Sequence, residues 1–119
     1  MMKRILLGGM LCLLMSISCT KKVDDKIYVT DCEESMFVKT PRLKETMEYF
    51  QKLADFSSMV KISSFGTSPQ GRELPLVIVD KDGLQSPDEI RRKGRVIILI
   101  ESCIHAGEPD GKDASMIFL

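Results

Sequence analysis

The chain is poor in aromatic residues and has no excess of positive charge. It contains no tryptophan, only two tyrosines and a single histidine, His105. Its 17 Lys and Arg residues are balanced by 17 Asp and Glu residues, and no basic patch stands out along the sequence. Because proteins that bind nucleic acid concentrate positive charge on one face or along one helix, we predict no nucleic-acid partner.

The sequence also lacks a hydrophobic run long enough to span a bilayer. Its apolar stretch at residues 5–15 is about half of the roughly 20 residues that a membrane-spanning helix needs. Two basic residues precede this stretch and small residues follow it, an order typical of a secretory signal. We therefore predict a signal peptide at residues 1–18; the alternative is a weak membrane anchor that is not removed.

Cys19 follows a small residue and resembles the lipidated cysteine of bacterial lipoproteins, although Ser16 stands where leucine or a similar residue is usual. An acyl chain on Cys19 would tether the protein to a membrane without spanning it. We predict export to the cell envelope, with the chain facing the periplasm or the cell exterior. This leaves only Cys32 and Cys103 for a disulfide, which we do not favour because nothing brings them together. We expect Cys103 to lie in the core.

Local patterns predict several elements beyond Cys19. Residues 19–39 are polar and predict an irregular tether or surface arm. Apolar residues at helical spacing predict an amphipathic helix that begins at Thr40 and runs to residue 56. Two apolar runs at residues 60–65 and 74–79, separated by a Gly- and Pro-containing turn, predict a hairpin.

The next segments complete a predicted α/β layer fold. Ser86 opens a short helix, and residues 95–100 form an uninterrupted apolar run that predicts a strand buried on both faces. Residues 113–119 have the start of a buried helix. Three strands and one complete helix cannot cover both faces of a sheet, so we expect exposed apolar surface and no stable folding of this chain alone.

The loop after residues 95–100 carries His105 and, three residues later, Glu108. Neutral imidazole nitrogen and carboxylate oxygen are both zinc ligands. Sheets of the α/β class hold ligands beyond the carboxyl ends of their strands. His-x-x-Glu arises by chance in many chains, and a loop histidine hydrogen-bonded to a neighbour is the alternative interpretation.

Two motifs together make the chain resemble a known family. A Gly-x-Ser-x-x-Gly-Arg hairpin at residues 66–72 precedes the apolar run, and His-x-x-Glu follows it. In this order they resemble the zinc carboxypeptidases of the carboxypeptidase A type. The resemblance covers residues 40–119, which would be the N-terminal part of the catalytic domain.

The resemblance implies a partial zinc-carboxypeptidase fold, with a mixed and largely parallel sheet flanked by helices and truncated at Leu119. It implies one Zn²⁺ ion with His105 and Glu108 as two of three protein ligands. The activity implied is hydrolysis of peptide bonds through zinc-activated water. The family's second histidine and its glutamate base would come later than Leu119, so no catalytic residue is assigned and the third zinc ligand is missing from this chain.

One departure from the family pattern leaves alternatives open. Gly107 occupies the position where many members have an arginine that polarises the substrate carbonyl. The substrate is therefore a peptide or another amide, and a same-fold hydrolase that acts on acyl-amino acids is an alternative. A non-catalytic lipoprotein fragment or binding module is a second alternative. The sequence does not indicate an oligomeric state.

Three further residues receive structural interpretations. We expect Arg72 to tie the hairpin turn to a nearby carboxylate rather than to bind an anion. Asp110 or Asp113 could orient His105 by accepting its second N–H. For Asp113 we favour a simpler role at the N-terminus of the following helix.

Overall fold

The computed structural model describes residues 25–119, so the predicted signal peptide and Cys19 lie outside the described residues. A 3-10 helix at Asp25–Tyr28 comes first. The other elements, in chain order, are α1 (Asp31–Glu34), α2 (Leu43–Phe56), β1 (Val60–Thr67), β2 (Glu73–Val79), α3 (Pro87–Arg92) and α4 (Asp110–Phe118). No helix within this range is long and apolar enough to cross a membrane.

The helix α2 begins later than its sequence pattern predicts. Arg42 is still extended (φ −82°, ψ 176°), and the first helical hydrogen bond runs from the Thr46 N–H to the Arg42 carbonyl at 2.9 Å. Thr40 does not cap the helix, because the N-cap position is Arg42 and no side chain makes a capping hydrogen bond there. The start at Thr40 is therefore wrong by three residues, whereas the end at Phe56 is as predicted.

The strands β1 and β2 form the predicted antiparallel hairpin. Val60 pairs with Val79 at its open end, and a bulge between Ser64 and Gly66 leaves Phe65 without a partner in the register. Gly71 has φ +77° in the connecting turn, a left-handed conformation that glycine adopts without steric cost. This turn brings two apolar stretches together that are close in sequence.

The core lies between α2, the hairpin and α4. It consists of Tyr49, Phe50, Leu53, Val60 and Met116. The Tyr49 hydroxyl lies 3.1 Å from the Met116 carbonyl and 3.3 Å from the Tyr28 carbonyl, and it can donate its proton to either. One side chain of α2 therefore contacts both α4 and the N-terminal segment.

The segment predicted as irregular contains local structure. Thr30 and Glu33 form a reciprocal capping box at the start of α1, in which each side chain accepts a hydrogen bond from the other residue's backbone N–H. Thr30 and Cys32 are buried. The prediction relied on the polar composition of residues 19–39 and overlooked this capping pattern, which starts the short helix α1.

The predicted third strand at residues 95–100 is not formed within the described chain. The five apolar residues at 96–100 are 44–86% exposed, and the one sheet among residues 25–119 is the two-stranded hairpin. A strand exists only where its backbone pairs with a neighbour, and among residues 25–119 no strand pairs with this segment. The expected exposure of apolar surface is confirmed, whereas the buried strand is wrong; a largely parallel sheet is not seen.

A turn after β2 fixes the start of that exposed segment. Asp80 accepts hydrogen bonds from the backbone N–H groups of Asp82 (2.8 Å) and Leu84 (3.2 Å). The Arg95 guanidinium donates to Asp80 at 2.6 Å and also pairs with Asp82. These contacts join the end of β2 to Arg95, three residues beyond the end of α3.

The short helix α3 is confirmed, with the Ser86 side chain accepting a hydrogen bond from the Glu89 N–H at its start. The last helix, α4, begins at Asp110, three residues before the predicted start. Its inner face is buried at Asp113 and Met116, but Ile117 and Phe118 are 42% and 79% exposed. The helix is therefore covered on one side only.

Candidate metal centre

The loop between the exposed apolar segment and α4 carries both predicted metal ligands. Within it, the Glu108 N–H donates to the His105 carbonyl at 3.3 Å. Gly107 has φ +96°, a backbone conformation that L side chains rarely adopt. This tight turn places the two ligand side chains on the same side of the loop.

The loop brings the two predicted ligand atoms within contact distance. The His105 Nδ1 atom lies 3.1 Å from the Glu108 Oε2 atom, and the two side chains are 77% and 69% exposed. A tetrahedral zinc ion holds nitrogen and oxygen ligands at about 2.0–2.2 Å, which separates such a pair by about 3.3 Å. The same distance suits a direct hydrogen bond. The pair therefore fits two corners of a zinc site and also forms a contact without metal.

The described residues do not complete a metal site. Between residues 25 and 119, no group of three or more His, Cys, Asp or Glu side chains is arranged to hold a metal ion. His105 is the only histidine of the whole sequence. A catalytic zinc site has three protein ligands and an open position for water. The loop thus brings together two atoms, one nitrogen and one oxygen, of the types that zinc accepts as ligands.

Cys103 does not lie in the core, contrary to the prediction. It is exposed and free, and its Sγ–H donates to the Glu108 carbonyl at 3.6 Å. Cys103 has φ +59°, a left-handed backbone conformation, at the end of the apolar segment. Cys32 is also free but buried, and this burial raises the pKa of its thiol, with a further contribution from nearby Asp113. The two thiols are not paired with each other in the described structure.

The predicted supporting residues have other contacts. Asp113 is buried and pairs with Lys112, in the first turn of α4, rather than with His105. Among the described residues, Asp110 makes no side-chain hydrogen bond to the His105 imidazole. The Nδ1 atom of that imidazole faces Glu108 instead. The Arg72 guanidinium forms no ion pair with any described carboxylate. The backbone N–H of Arg72 donates to Ser68 Oγ at 3.1 Å. The expected tie through the Arg72 side chain is wrong.

Two serines beside the loop were missed by the sequence analysis. Ser102 Oγ lies 3.3 Å from Ser115 Oγ, and Ser115 Oγ donates to the Gly111 carbonyl at 2.6 Å. A Cβ atom added at Gly111 would lie 3.4 Å from Ser102 Oγ, so the two segments approach closely. The two serines are thirteen positions apart in the sequence. Helical and strand periodicity relate only residues that are closer along the chain, so no such pattern predicts this contact.

Comparison with known proteins agrees with the two motifs. Residues 46–119 match the family model described as zinc carboxypeptidase, and this stretch includes the hairpin, the exposed segment and the His105–Glu108 pair. No curated protein and no solved structure shows significant similarity to the chain. Because the matched stretch is more than half of the chain, the protein belongs to the zinc carboxypeptidase family. The family resemblance inferred from the motifs is confirmed.

Proposed function

We propose that this chain provides part of the active site of a zinc-dependent metallocarboxypeptidase, which hydrolyses peptide or other amide bonds. In this proposal His105 and Glu108 are two of the three protein ligands of one Zn²⁺ ion. The observation that supports it is the 3.1 Å approach of the two ligand atoms within the family-matched stretch. Zinc, when bound, polarises a substrate carbonyl and lowers the pKa of water.

His105 must offer Nδ1 as an unprotonated nitrogen to bind a metal. A neutral imidazole carries its proton on one of its two nitrogens. Without metal, the tautomer with its single ring proton on Nδ1 can donate it to Glu108 Oε2; a metal would instead require the tautomer with that proton on Nε2, which leaves Nδ1 unprotonated. In the metal-bound form the Glu108 carboxylate would contact the cation in place of the hydrogen bond to His105 Nδ1, and the cation would balance its negative charge.

Gly107 supports a second candidate reaction on the same pair of ligands. This position has no side chain that could polarise a substrate carbonyl, and its φ of +96° would strain any replacement by a larger residue. Hydrolysis of an acyl-amino acid is therefore the second candidate. A non-catalytic module with two ligands remains a third, supported by the lack of a three-residue group in the described chain.

A zinc titration of the full chain tests the ligand pair. Because His105 is the only histidine, its ring resonances report metal binding at one residue by NMR. We expect saturable shifts with one Zn²⁺ per chain. Glu108→Gln keeps the shape but removes the charge and should weaken binding, whereas Glu101→Gln, an exposed carboxylate outside the loop, should not. Equal binding by both variants would contradict the assignment of Glu108.

Hydrolysis assays separate the three candidates once zinc is bound and the family's second histidine and glutamate base, which this chain does not supply, are provided by the later part of such a catalytic domain. Release of the C-terminal residue from a peptide, abolished by His105→Ala, would support the carboxypeptidase. Cleavage of an N-acyl amino acid in preference to a peptide would support the second reaction. Zinc binding with neither activity would support the non-catalytic module.

We further propose that the protein is exported and lipid-anchored through Cys19. The support is the order of basic, apolar and small residues before that cysteine. Mass spectrometry of the mature N-terminus should find a chain that begins at an acylated Cys19. An unmodified N-terminus at Thr20 or earlier would contradict this proposal.

A further inference from the structure

We propose that Ser102 and Ser115 act as positioning residues for the metal-binding loop. Their two hydroxyls, named here the serine brace, connect the residue before the loop to the helix after it. The proposal rests on the metal role of His105 and Glu108 given above. It adds a contact, outside the ligand set, on which the affinity for zinc depends.

The direction of the hydrogen bonds in the serine brace follows from the proton count. Each serine hydroxyl has one proton to donate. Ser115 donates its proton to the Gly111 carbonyl at 2.6 Å. Ser102 must therefore donate to Ser115 Oγ across 3.3 Å. A chain of two hydrogen bonds runs from Ser102 through Ser115 to the first turn of α4.

The serine brace closes the ends of the loop that holds both ligands. Ser102 comes directly before residues 103–110, and Gly111 comes directly after them. On the helix side the brace is fixed, because Ser115 adjoins Met116, which is only 1% exposed. On the other side, the backbone amides of residues 96–104 donate no hydrogen bond within the described chain. The brace therefore links a loosely held segment to a packed helix.

The contact with Ser102 distinguishes this arrangement from an ordinary helical serine. A serine within a helix often donates to the carbonyl four residues earlier, and that bond alone has no functional meaning. Ser102 is half-buried and comes from outside the helix. Groups that orient metal ligands without touching the metal commonly affect metal affinity. Ser102 is therefore the more informative residue to change.

The test is the zinc affinity of the full chain, read from the His105 ring resonances. Ser102→Ala and Ser115→Ala should each weaken zinc binding by about threefold to tenfold, the usual effect of one lost hydrogen bond. The double variant should lose little more than Ser115→Ala alone, because the two changes remove the same link. Ser102→Thr keeps the hydroxyl and should restore most of the affinity. Ser63→Ala, an exposed serine of β1, is the matched control.

Amide exchange in the hairpin shows whether a variant has disturbed the fold. Unchanged hairpin exchange with weakened zinc binding, restored by Ser102→Thr, supports the serine brace. Wild-type affinity in Ser102→Ala overturns it while leaving the ligand pair intact, and additive losses in the double variant also overturn it. A wild-type chain whose His105 resonances do not respond to zinc overturns the ligand pair itself and the role of the brace with it.

Discussion

The strand β2 and the segment at residues 95–100 have similar sequences but different structures. Both are rich in valine, isoleucine and leucine. β2 pairs with β1 along its length and is mostly half-buried, whereas residues 96–100 are exposed and unpaired among the described residues. β2 has its partner because a five-residue turn returns the chain immediately. An apolar run therefore becomes a strand only where the topology supplies a neighbour.

Ion pairs connect these two regions without making the second one a strand. Arg95 donates to Asp80 at 2.6 Å, and Lys93 lies 3.1 Å from Asp82. These contacts hold the start of the exposed segment near the end of β2. Because the backbone groups of residues 96–100 remain unpaired in the described part of the chain, a fixed start is not sufficient to form a sheet.

Amide hydrogen exchange should show the largest difference between the two regions. The hairpin amides that pair β1 with β2 are hydrogen-bonded, whereas those of residues 96–100 are not. We expect exchange at least about a hundredfold slower in the hairpin, which corresponds to about 2.8 kcal/mol of local opening free energy. Similar exchange rates in both regions would mean that the contrast between them is wrong.

Truncation of one leucine in each region should follow the same division. Leu53 is 3% exposed in the core, and Leu99 is 70% exposed. Leu53→Ala should lower the opening free energy of the hairpin by up to about 2–5 kcal/mol, because a cavity replaces buried contacts. Leu99→Ala should change it by less than about 0.5 kcal/mol. Hairpin amide exchange measures both, and a comparable loss from Leu99→Ala would show that the exposed segment is packed after all.

Two glycines test the turns that lie between the regions. Gly83 and Gly94 both have φ +70°, but a Cβ at Gly83 would lie 2.7 Å from the Ser58 carbonyl oxygen, whereas one at Gly94 meets nothing within 4 Å. Gly94→Ala should cost about 1 kcal/mol of local stability for the left-handed conformation. Gly83→Ala should cost about 1–3 kcal/mol more because of the collision. Amide exchange over residues 80–95 measures both, and equal losses would argue against the close approach.

The pH dependence of the Asp80–Arg95 pair should give the smallest effect. The Arg95 guanidinium lowers the pKa of Asp80, with help from the backbone N–H groups of Asp82 and Leu84. The stabilisation by this carboxylate is complete above its unfolded pKa of about 3.9 and is lost as the pH falls through the lower folded pKa. The Arg95 side-chain resonances should therefore shift only below about pH 4. In Asp80→Asn this transition should become smaller, because only Asp82, which also pairs with Arg95, then titrates beside the guanidinium; an unchanged transition would mean that Asp82 is its source.

The sequence was informative where the cause of a structure lies close along the chain. The hairpin, the helix α2 and the Ser86 cap were predicted because turn residues, helical spacing and a capping side chain act over a few residues. The His105–Glu108 approach was accessible for the same reason, since a single tight turn separates them.

The predictions failed where the outcome depends on distant partners. Burial at residues 95–100 and at Cys103 requires neighbouring strands that do not lie beside them in the described chain. The contact between Ser102 and Ser115 depends on how the loop returns to α4. Composition and periodicity contain no information about such approaches, so these residues could not have been chosen from the sequence.

The Tyr49 hydroxyl contact with Met116 spans 67 residues and has a consequence for the order of folding. Contacts between α2 and the hairpin join neighbouring elements and can form once residue 79 has left the ribosome. The metal-binding loop and α4 are made afterwards and must dock onto a unit that already exists. During synthesis, the ligand pair is therefore assembled late, and the core is complete only when Met116 has packed against α2.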